Sequence, residues 1–346
     1  MEPFEKCEWL ESLNYMTLKN YFNFLKPHGI AFGIIKESMG NYDLISGGSW
    51  DSISEIIETI FVYAIAKFRR KPIILRRENW DWYKNSNKNK ILKVIFKNIT
   101  RSADALVVPG TKHKEYFISL GSLPEKIFIM PNACDISMKD GDHIKKEKLR
   151  DKFKIGEKKV ILYVGRLVKQ KGVDYLLKAF AKYKKENNDI VLVIVGNGEC
   201  RNKLEILSKD LKIDDSVYFI GHIEYDNLPA YYLLCNVCVV PSITYRIADA
   251  WAFVVNEAMY FGKPVIATEA VGAAYDMIEN GKNGYMIPEK DSYSIYIAMK
   301  KILSDPELEI KMGYVSKKII EEGFMEQNMV EGFSKAVKYL QLIKEK

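Results

Sequence analysis

From residue 160 to 267 the chain alternates short runs of Val, Ile and Leu with amphipathic stretches of helical period, with no internal sequence repeat. The strand-like runs fall at 160–164, 190–195, 217–220, 237–240 and 265–267, and the helix-like stretches at 173–183, 201–211, 228–234 and 254–260. Strands alternating with helices predict a parallel sheet covered by helices on both faces. The first half carries a weaker series. Strands are expected at 29–35, 42–46, 72–75, 105–108 and 127–130, and helices at 15–25, 88–99 and 112–120. Another helix is expected from 56 to 64, entered through Ser52-Ile53-Ser54-Glu55, which has capping-box spacing.

Residues 137–157 are polar and have no sustained apolar period, which places a boundary there. The expected organisation is an N-terminal Rossmann-like domain at 1–138, a linker at 139–158, a second domain at 159–326 and an amphipathic closing helix at 327–346. A length of 346 residues fits about two domains. The content of 48% hydrophobic and 28% charged residues excludes disordered, collagenous and disulfide-stapled classes. No apolar run approaches the roughly 20 residues that cross a bilayer, and the N-terminus carries acids where a signal peptide has bases, so a soluble intracellular chain is expected.

The five cysteines are scattered, which predicts free thiols. Cys235 and Cys238 form a C-x-x-C, but it sits where a helix runs into a strand with no second Cys or His pair nearby, so core packing is expected. Asp140-Gly141-Asp142 resembles a metal-binding D-x-D but lies in the linker. No metal is expected.

The net charge of +7 is unevenly placed. Residues 69–101 hold eleven bases against Glu78 and Asp81, a local +9, with Trp80, Trp82, Tyr83 and Phe96 among them. A solvated helix face is one reading. A surface for an anionic membrane or a phosphate-bearing lipid is another, and nucleic acid a third.

Four places in the second half suit ligand chemistry, because open α/β sheets bind at the carboxyl ends of strands. Gly165-Arg166 follows one strand, and Lys171-Gly172 leads into the next helix, which puts two cations around one loop. Gly196-Asn197-Gly198 is a weak G-x-G turn. Gly221-His222-Ile223 is a loop able to present backbone to a base. The fourth is Pro241-Ser242 followed by Asp249 and Glu257, an acid in the loop and another near a helix start.

Taken together, VILYVGRLVKQKGVDYLLKAF, LVIVGNGE, VYFIGHI, VVPS, DAWAFVVNEAMYFGKPVIAT and GKNGYMIP resemble, in order and spacing, family 4 of the retaining glycosyltransferases. ADALVVPGTKHKEYF and PEKIFIMPNACD extend the resemblance upstream, so that it covers about 101–288. The resemblance implies the α/β GT-B fold, two Rossmann-like doubly wound domains facing across a crevice. It also implies transfer of a hexose from a UDP- or GDP-sugar to a glycan or lipid-linked acceptor, with no metal or other cofactor.

Carried onto this sequence, it implies that Arg166 and Lys171 hold the donor diphosphate and that Asp249 meets the sugar hydroxyls. Glu257 would bind the ribose, and Phe253, Val254 and Val255 would offer amides near the phosphates. Gly165 would give close approach, Ile223 would touch the base through its backbone, and Ser242 would shape the sugar pocket. Asp249 stands where the family usually has Glu, and Ala252 where it usually has Gly. The opening strand and glycine-rich loop of the family are not legible at the N-terminus, which reads as a shortened first domain. Where the family commonly has a histidine this chain has Arg76-Arg77-Glu78-Asn79-Trp80, which makes Glu78 an acceptor-side candidate. Nucleic acid is not expected as a partner. An anionic membrane met through 69–101 and a peripheral location on its cytoplasmic face are. The alternative is a nucleotide-sugar-binding relative that regulates or partners an active enzyme.

Overall fold

The computed structural model describes residues 38–47, 53–80 and 87–344. The expected helix at 15–25, the expected strand at 29–35, the start of the chain read as a shortened first domain, and Trp82, Tyr83 and Lys84 of the basic stretch lie outside the described residues. The chain divides into two compact units, residues 1–77 with 102–106, and residues 78–101 with 107–346.

In the first unit, β1 (Ile45–Gly47) pairs in parallel with β2 (Ile73–Arg76), Ile45 opposite Ile73, with α1 (Ile53–Phe68) between them. Buried Ile73, Ile74 and Leu75 give β2 its core. The Asp104 carboxylate accepts from Ile73 N at 3.0 Å and pairs with Lys67 at 2.8 Å, so one acid fixes both a strand start and a helix end. β3 (Ala105–Val108) lies at the boundary of the two units, and β4 (Ile127–Ile129) belongs to the second.

In the second unit, α2 (Asn87–Ser102) and α3 (Thr111–Ser119) meet through Phe96 and Phe117, whose ring centroids lie 5.9 Å apart. Phe96 is 1% exposed. It is core, not part of an aromatic surface among bases. This corrects the expected surface set: Phe96 and Ile99, three residues apart, are buried together, and Lys93 and Lys97 on the flanks of that stripe are exposed. α4 (Asp142–Lys152) forms inside the stretch read as a linker. Its apolar signal is thin, since only Leu149 and Phe153, four residues apart, pack into the core. Asp142 of the D-x-D accepts from Lys139 N at 2.8 Å and pairs with Lys145 at 3.3 Å, a local role at the start of α4.

The larger sheet has six strands in the order β10-β9-β8-β5-β6-β7. They are β5 (Lys159–Val164), β6 (Ile190–Val195), β7 (Val217–Gly221), β8 (Val237–Val240), β9 (Val265–Thr268) and β10 (Gly284–Ile287), and all pairings are parallel. β6, with sequence IVLVIV, is buried at every position. Its odd and even residues divide between two cores: Ile190, Leu192 and Ile194 pack with α5 (Val173–Lys184), and Val191, Val193 and Val195 pack with α7 (Leu228–Leu234) and α8 (Val254–Tyr260). A strand alternates its side chains between faces, so a wholly apolar strand demands cover on both.

α6 (Arg201–Asp210), α9 (Ala274–Met277), α10 (Ser292–Leu303), α11 (Pro306–Gly323) and α12 (Glu326–Lys344) complete the unit. Asp291 caps α10, accepting from Tyr293 N and Ser294 N, and Asp305 caps α11 ahead of Pro306. α12 packs on β4, with Tyr339 and Phe128 rings 5.3 Å apart. No described helix is long and apolar enough to cross a membrane.

Candidate functional site

The order β10-β9-β8-β5-β6-β7 reverses between β5 and β8. The chain runs outward from β5 to β7, then crosses back to β8 and runs outward the other way. The loops leaving the carboxyl ends of the two strands at such a switch point splay apart, and ligands of open α/β sheets bind there. Gly165, Arg166 and Lys171 follow β5, and Ser242 and Asp249 follow β8. Residues 76 positions apart in sequence thus belong to one site because β5 and β8 are hydrogen-bonded neighbours, Ile161 opposite Val237.

The two loops are stitched together. Ile243 N donates to the Gln170 carbonyl at 2.7 Å, and the Gln170 side chain donates to the carbonyls of Ile247 at 3.0 Å and Ala248 at 3.2 Å. This stitching brings Lys171 Nζ to 2.5 Å from Asp249 Oδ2, with the two side chains 17% and 12% exposed. Ser242 Oγ donates to the same carboxylate oxygen at 2.7 Å. The buried Thr268 hydroxyl donates to the Ser242 carbonyl and fixes that turn. The three residues make a compact cluster of ammonium, carboxylate and hydroxyl.

Arg166 is exposed, and its carbonyl accepts from the buried Tyr163 hydroxyl at 2.9 Å. Burial first, and then the Asp249 charge, hold the Tyr163 phenol well above its ordinary range, while Arg166 opposes the shift. Tyr163 is therefore a neutral donor that fixes the loop behind Arg166.

Glu257, on α8, is 7% exposed and accepts from Tyr232 Oη at 2.5 Å. Burial raises its carboxyl, and the tyrosine hydroxyl offsets part of that shift. One oxygen is thus fixed by Tyr232, whose ring stacks on Phe261 at 5.6 Å. Sequence reading gave no sign of Tyr232, since 25 positions separate it from Glu257. Phe253 is exposed at the start of α8 and Val254 follows it, half-buried. The Val255 amide donates to the Ala252 carbonyl at 3.0 Å, so this turn already occupies it. Ile223 is half-buried after β7. Glu78 is exposed, and its main chain lies beside the His113 ring.

Cys235 and Cys238 are buried free thiols at the end of α7 and in β8, and burial pushes Cys235 up to about 11. Among the described residues no group of three or more His, Cys, Asp or Glu could hold a metal ion.

Ala252 adopts φ +67°. A side chain with a Cβ in the left-handed region costs about 1–2 kcal/mol relative to glycine. Part of that is offset because glycine loses more entropy on folding. Ala252→Gly is therefore expected to stabilise by about 0.5–1 kcal/mol, a rise of roughly 1–4 °C in the melting temperature. A fall in differential scanning calorimetry would contradict this.

His113, which no motif singled out, is fully buried on α3, with Nε2 3.0 Å from the Ala250 carbonyl. Burial pushes it down to about 4 although the Ala250 and Glu78 main chains favour its protonation. Between about pH 4 and the unfolded value near 6.5 the unfolded chain holds more protons than the folded one, so stability rises with pH across that window. Acidification through it is expected to cost up to about 3 kcal/mol. Buried Glu257 and Asp276, both raised, act with the opposite sign. Comparison with His113→Gln, which does not titrate, isolates the histidine: the parent's stability falls more steeply in chemical unfolding between pH 6.5 and 4. Parallel curves would remove the assignment.

The sequence pattern described as "Glycosyl transferases group 1" matches residues 145–319. An uncharacterized glycosyltransferase of Methanocaldococcus jannaschii is 33% identical over 196 residues, 56% of this chain and 49% of that protein. A GDP-mannose-dependent alpha-(1-6)-phosphatidylinositol monomannoside mannosyltransferase of Mycolicibacterium smegmatis is 25% identical over 66% of this chain and 60% of that one. The chain spans about half to six-tenths of the length of these curated relatives. Anabaena HepE, solved in complex with UDP, superposes with a TM-score of 0.73 at 19% identity, covering 90% of this chain and 80% of that one, which shows the GT-B fold. With the matched segment covering half of the chain and containing β5 to β10 with the Arg166, Lys171, Asp249 and Glu257 loops, the protein belongs to the glycosyl transferases group 1 family.

Proposed function

We propose that this protein is a retaining glycosyltransferase that moves a hexose from a UDP- or GDP-sugar to a glycan or lipid-linked acceptor. The observation that carries the reading is the Lys171–Asp249–Ser242 cluster at the β5/β8 switch point, with Arg166 exposed beside it. In this reading Lys171 and Arg166 take the donor diphosphate and stabilise it as it leaves. Charges fixed before the reaction need no reorganisation while the sugar–phosphate bond breaks. Asp249 and Ser242 meet the sugar hydroxyls, and Glu257, with one oxygen fixed by Tyr232, presents the other to the ribose. The Phe253 and Val254 amides, Gly165 and the Ile223 main chain complete the donor site. Glu78 serves the acceptor.

The bond between the anomeric carbon and the diphosphate oxygen breaks, and the acceptor oxygen bonds to the same face of that carbon. The acceptor proton passes to the departing phosphate oxygen, so no side-chain nucleophile is needed and no step is routed through a metal. Lys93, Lys97 and Arg101 on α2 are exposed, which supports an anionic, peripheral membrane surface on the cytoplasmic side for a lipid-linked acceptor.

The test is turnover of UDP- and GDP-hexoses, with and without short glycan and polyprenyl-phosphate acceptors, followed by proton NMR of the new anomeric centre. Product with the donor's anomeric configuration is expected. Inverted product would sink the retaining reading. Saturable donor binding with neither transfer nor hydrolysis would favour a regulatory relative, a reading that Ala252 in a left-handed loop and the self-paired Asp249 both support.

A further inference from the structure

We propose that His113 is a positioning residue for the donor-sugar loop, its imidazole on α3 fixing the Ala250 carbonyl and thereby the carboxylate of Asp249 next to it. The inference rests on the reading of Asp249 as a sugar contact.

The loop is held from two sides. On one side its main chain is laced to residues 270–273: Asp249 N donates to Ala270 O at 2.8 Å, Gly272 N to Asp249 O at 3.0 Å and Ala273 N to Trp251 O at 3.2 Å. The Trp251 indole N–H adds a bond to Asn256 Oδ1 at 2.8 Å. On the other side stands His113, whose Nε2 lies 3.0 Å from Ala250 O. A carbonyl only accepts, so Nε2 carries the proton and donates. The imidazole also packs at 6.0 Å against the Trp251 ring.

Space around this bond is fully used. A Cβ on Gly272 would lie 2.0 Å from Ala250 O and 2.9 Å from both His113 Cε1 and Trp80 Nε1. α3 is itself anchored, because Thr111 N donates to both oxygens of Asp276 at 3.0 Å. Gly110 makes room for that carboxylate, since a Cβ there would lie 2.2 Å from Asp276 Oδ2. His113 therefore projects from a fixed base onto the centre of a loop that carries left-handed Ala252 two residues later. Residues in sparsely populated conformations persist only where their surroundings over-determine them, and His113 supplies that restraint at Ala250. Burial keeps the ring neutral at physiological pH, so it carries a single ring proton, which the bond to the Ala250 carbonyl places on Nε2.

The experiment compares the parent chain with His113→Phe, which keeps a ring but loses the donor, and His113→Gln, which keeps an N–H at similar reach. The first readout, made without ligand, is amide hydrogen exchange over residues 249–257, with α5 and β6 as internal references. The second is the ratio of dissociation constants for a nucleotide-sugar and the matching free nucleotide diphosphate. Loss of one hydrogen bond is worth about tenfold in an equilibrium. His113→Phe is expected to speed exchange over 249–257 by about tenfold with the references unchanged. It is also expected to weaken the nucleotide-sugar by about tenfold against less than about threefold for the free nucleotide, and His113→Gln to restore most of both. Exchange and ratio equal to the parent's in His113→Phe overturn the proposal. So does uniform loss across the references, which marks a merely structural role, or a Gln variant as impaired as Phe. A parent that binds no nucleotide-sugar overturns the donor reading instead, and the exchange comparison then decides the loop anchor by itself.

Discussion

Lys171→Ala is expected to lower kcat/KM for donor turnover by about 10²–10³-fold, the scale seen when one preorganised charge-stabilising group is removed from an active site. The ammonium lies 2.5 Å from Asp249 with both side chains mostly buried, so the substitution also leaves a carboxylate with Ser242 as its remaining side-chain donor. An uncompensated acid in that position is expected to cost about 1–3 kcal/mol of stability, less than a fully buried pair because both groups retain some solvent. Pairing and chemistry separate in a double variant. Lys171→Ala with Asp249→Asn removes the stranded charge and is expected to recover most of the melting temperature while turnover stays low. Recovery of turnover along with stability would mean that neither Lys171 nor Asp249 serves the chemistry.

Gly172→Ala is expected to be strongly damaging in the donor half. Gly172 sits at φ +60° between Lys171 and α5, and a Cβ there would lie 2.1 Å from the Pro241 carbonyl at the end of β8. The left-handed backbone alone costs a non-glycine residue about 1–2 kcal/mol. The clash adds about 1–3 kcal/mol as the loops after β5 and β8 are pushed apart. Gly156→Ala is the control, because Gly156 has nearly the same φ, +56°, with no atom within 4 Å of the added Cβ. Gly172→Ala is expected to lose about 1–3 kcal/mol more than Gly156→Ala in chemical unfolding and to lose donor binding, which Gly156→Ala retains. Equal losses would show that the two loops are not in tight register.

The donor half was legible because its signals are local and redundant. IVLVIV in β6 is buried at all six positions, and each run of this kind is bounded by a glycine- or proline-bearing turn. Arg166, Lys171, Asp249 and Glu257 read as separate short motifs whose shared loops follow from the resemblance. The direct Lys171–Asp249 pairing does not follow from spacing, because it depends on β5 and β8 being neighbours. Tyr232 behind Glu257 and His113 behind Ala250 left no mark in the sequence, since each acts through a contact far along the chain. α4 was missed because Leu149 and Phe153 are too few to show a period. Phe96 was misplaced because a count of charges over 69–101 ignores which face of α2 each residue occupies. Trp80 fails the same way: counted among surface bases, it packs edge-on against Tyr275 at 5.9 Å.

Above all, the β5/β8 switch point is expected to bind a nucleotide-diphosphate sugar through Arg166 and Lys171. The most direct measurement is thermal unfolding of the full chain against UDP-, GDP- and ADP-sugars, beside an Arg166→Ala/Lys171→Ala variant confirmed as folded by circular dichroism. A donor at a hundred times its dissociation constant adds about 2.7 kcal/mol. A rise in melting temperature with one nucleotide, absent in the variant, is the predicted result. No rise with any donor, or a rise that the variant retains in full, would contradict it.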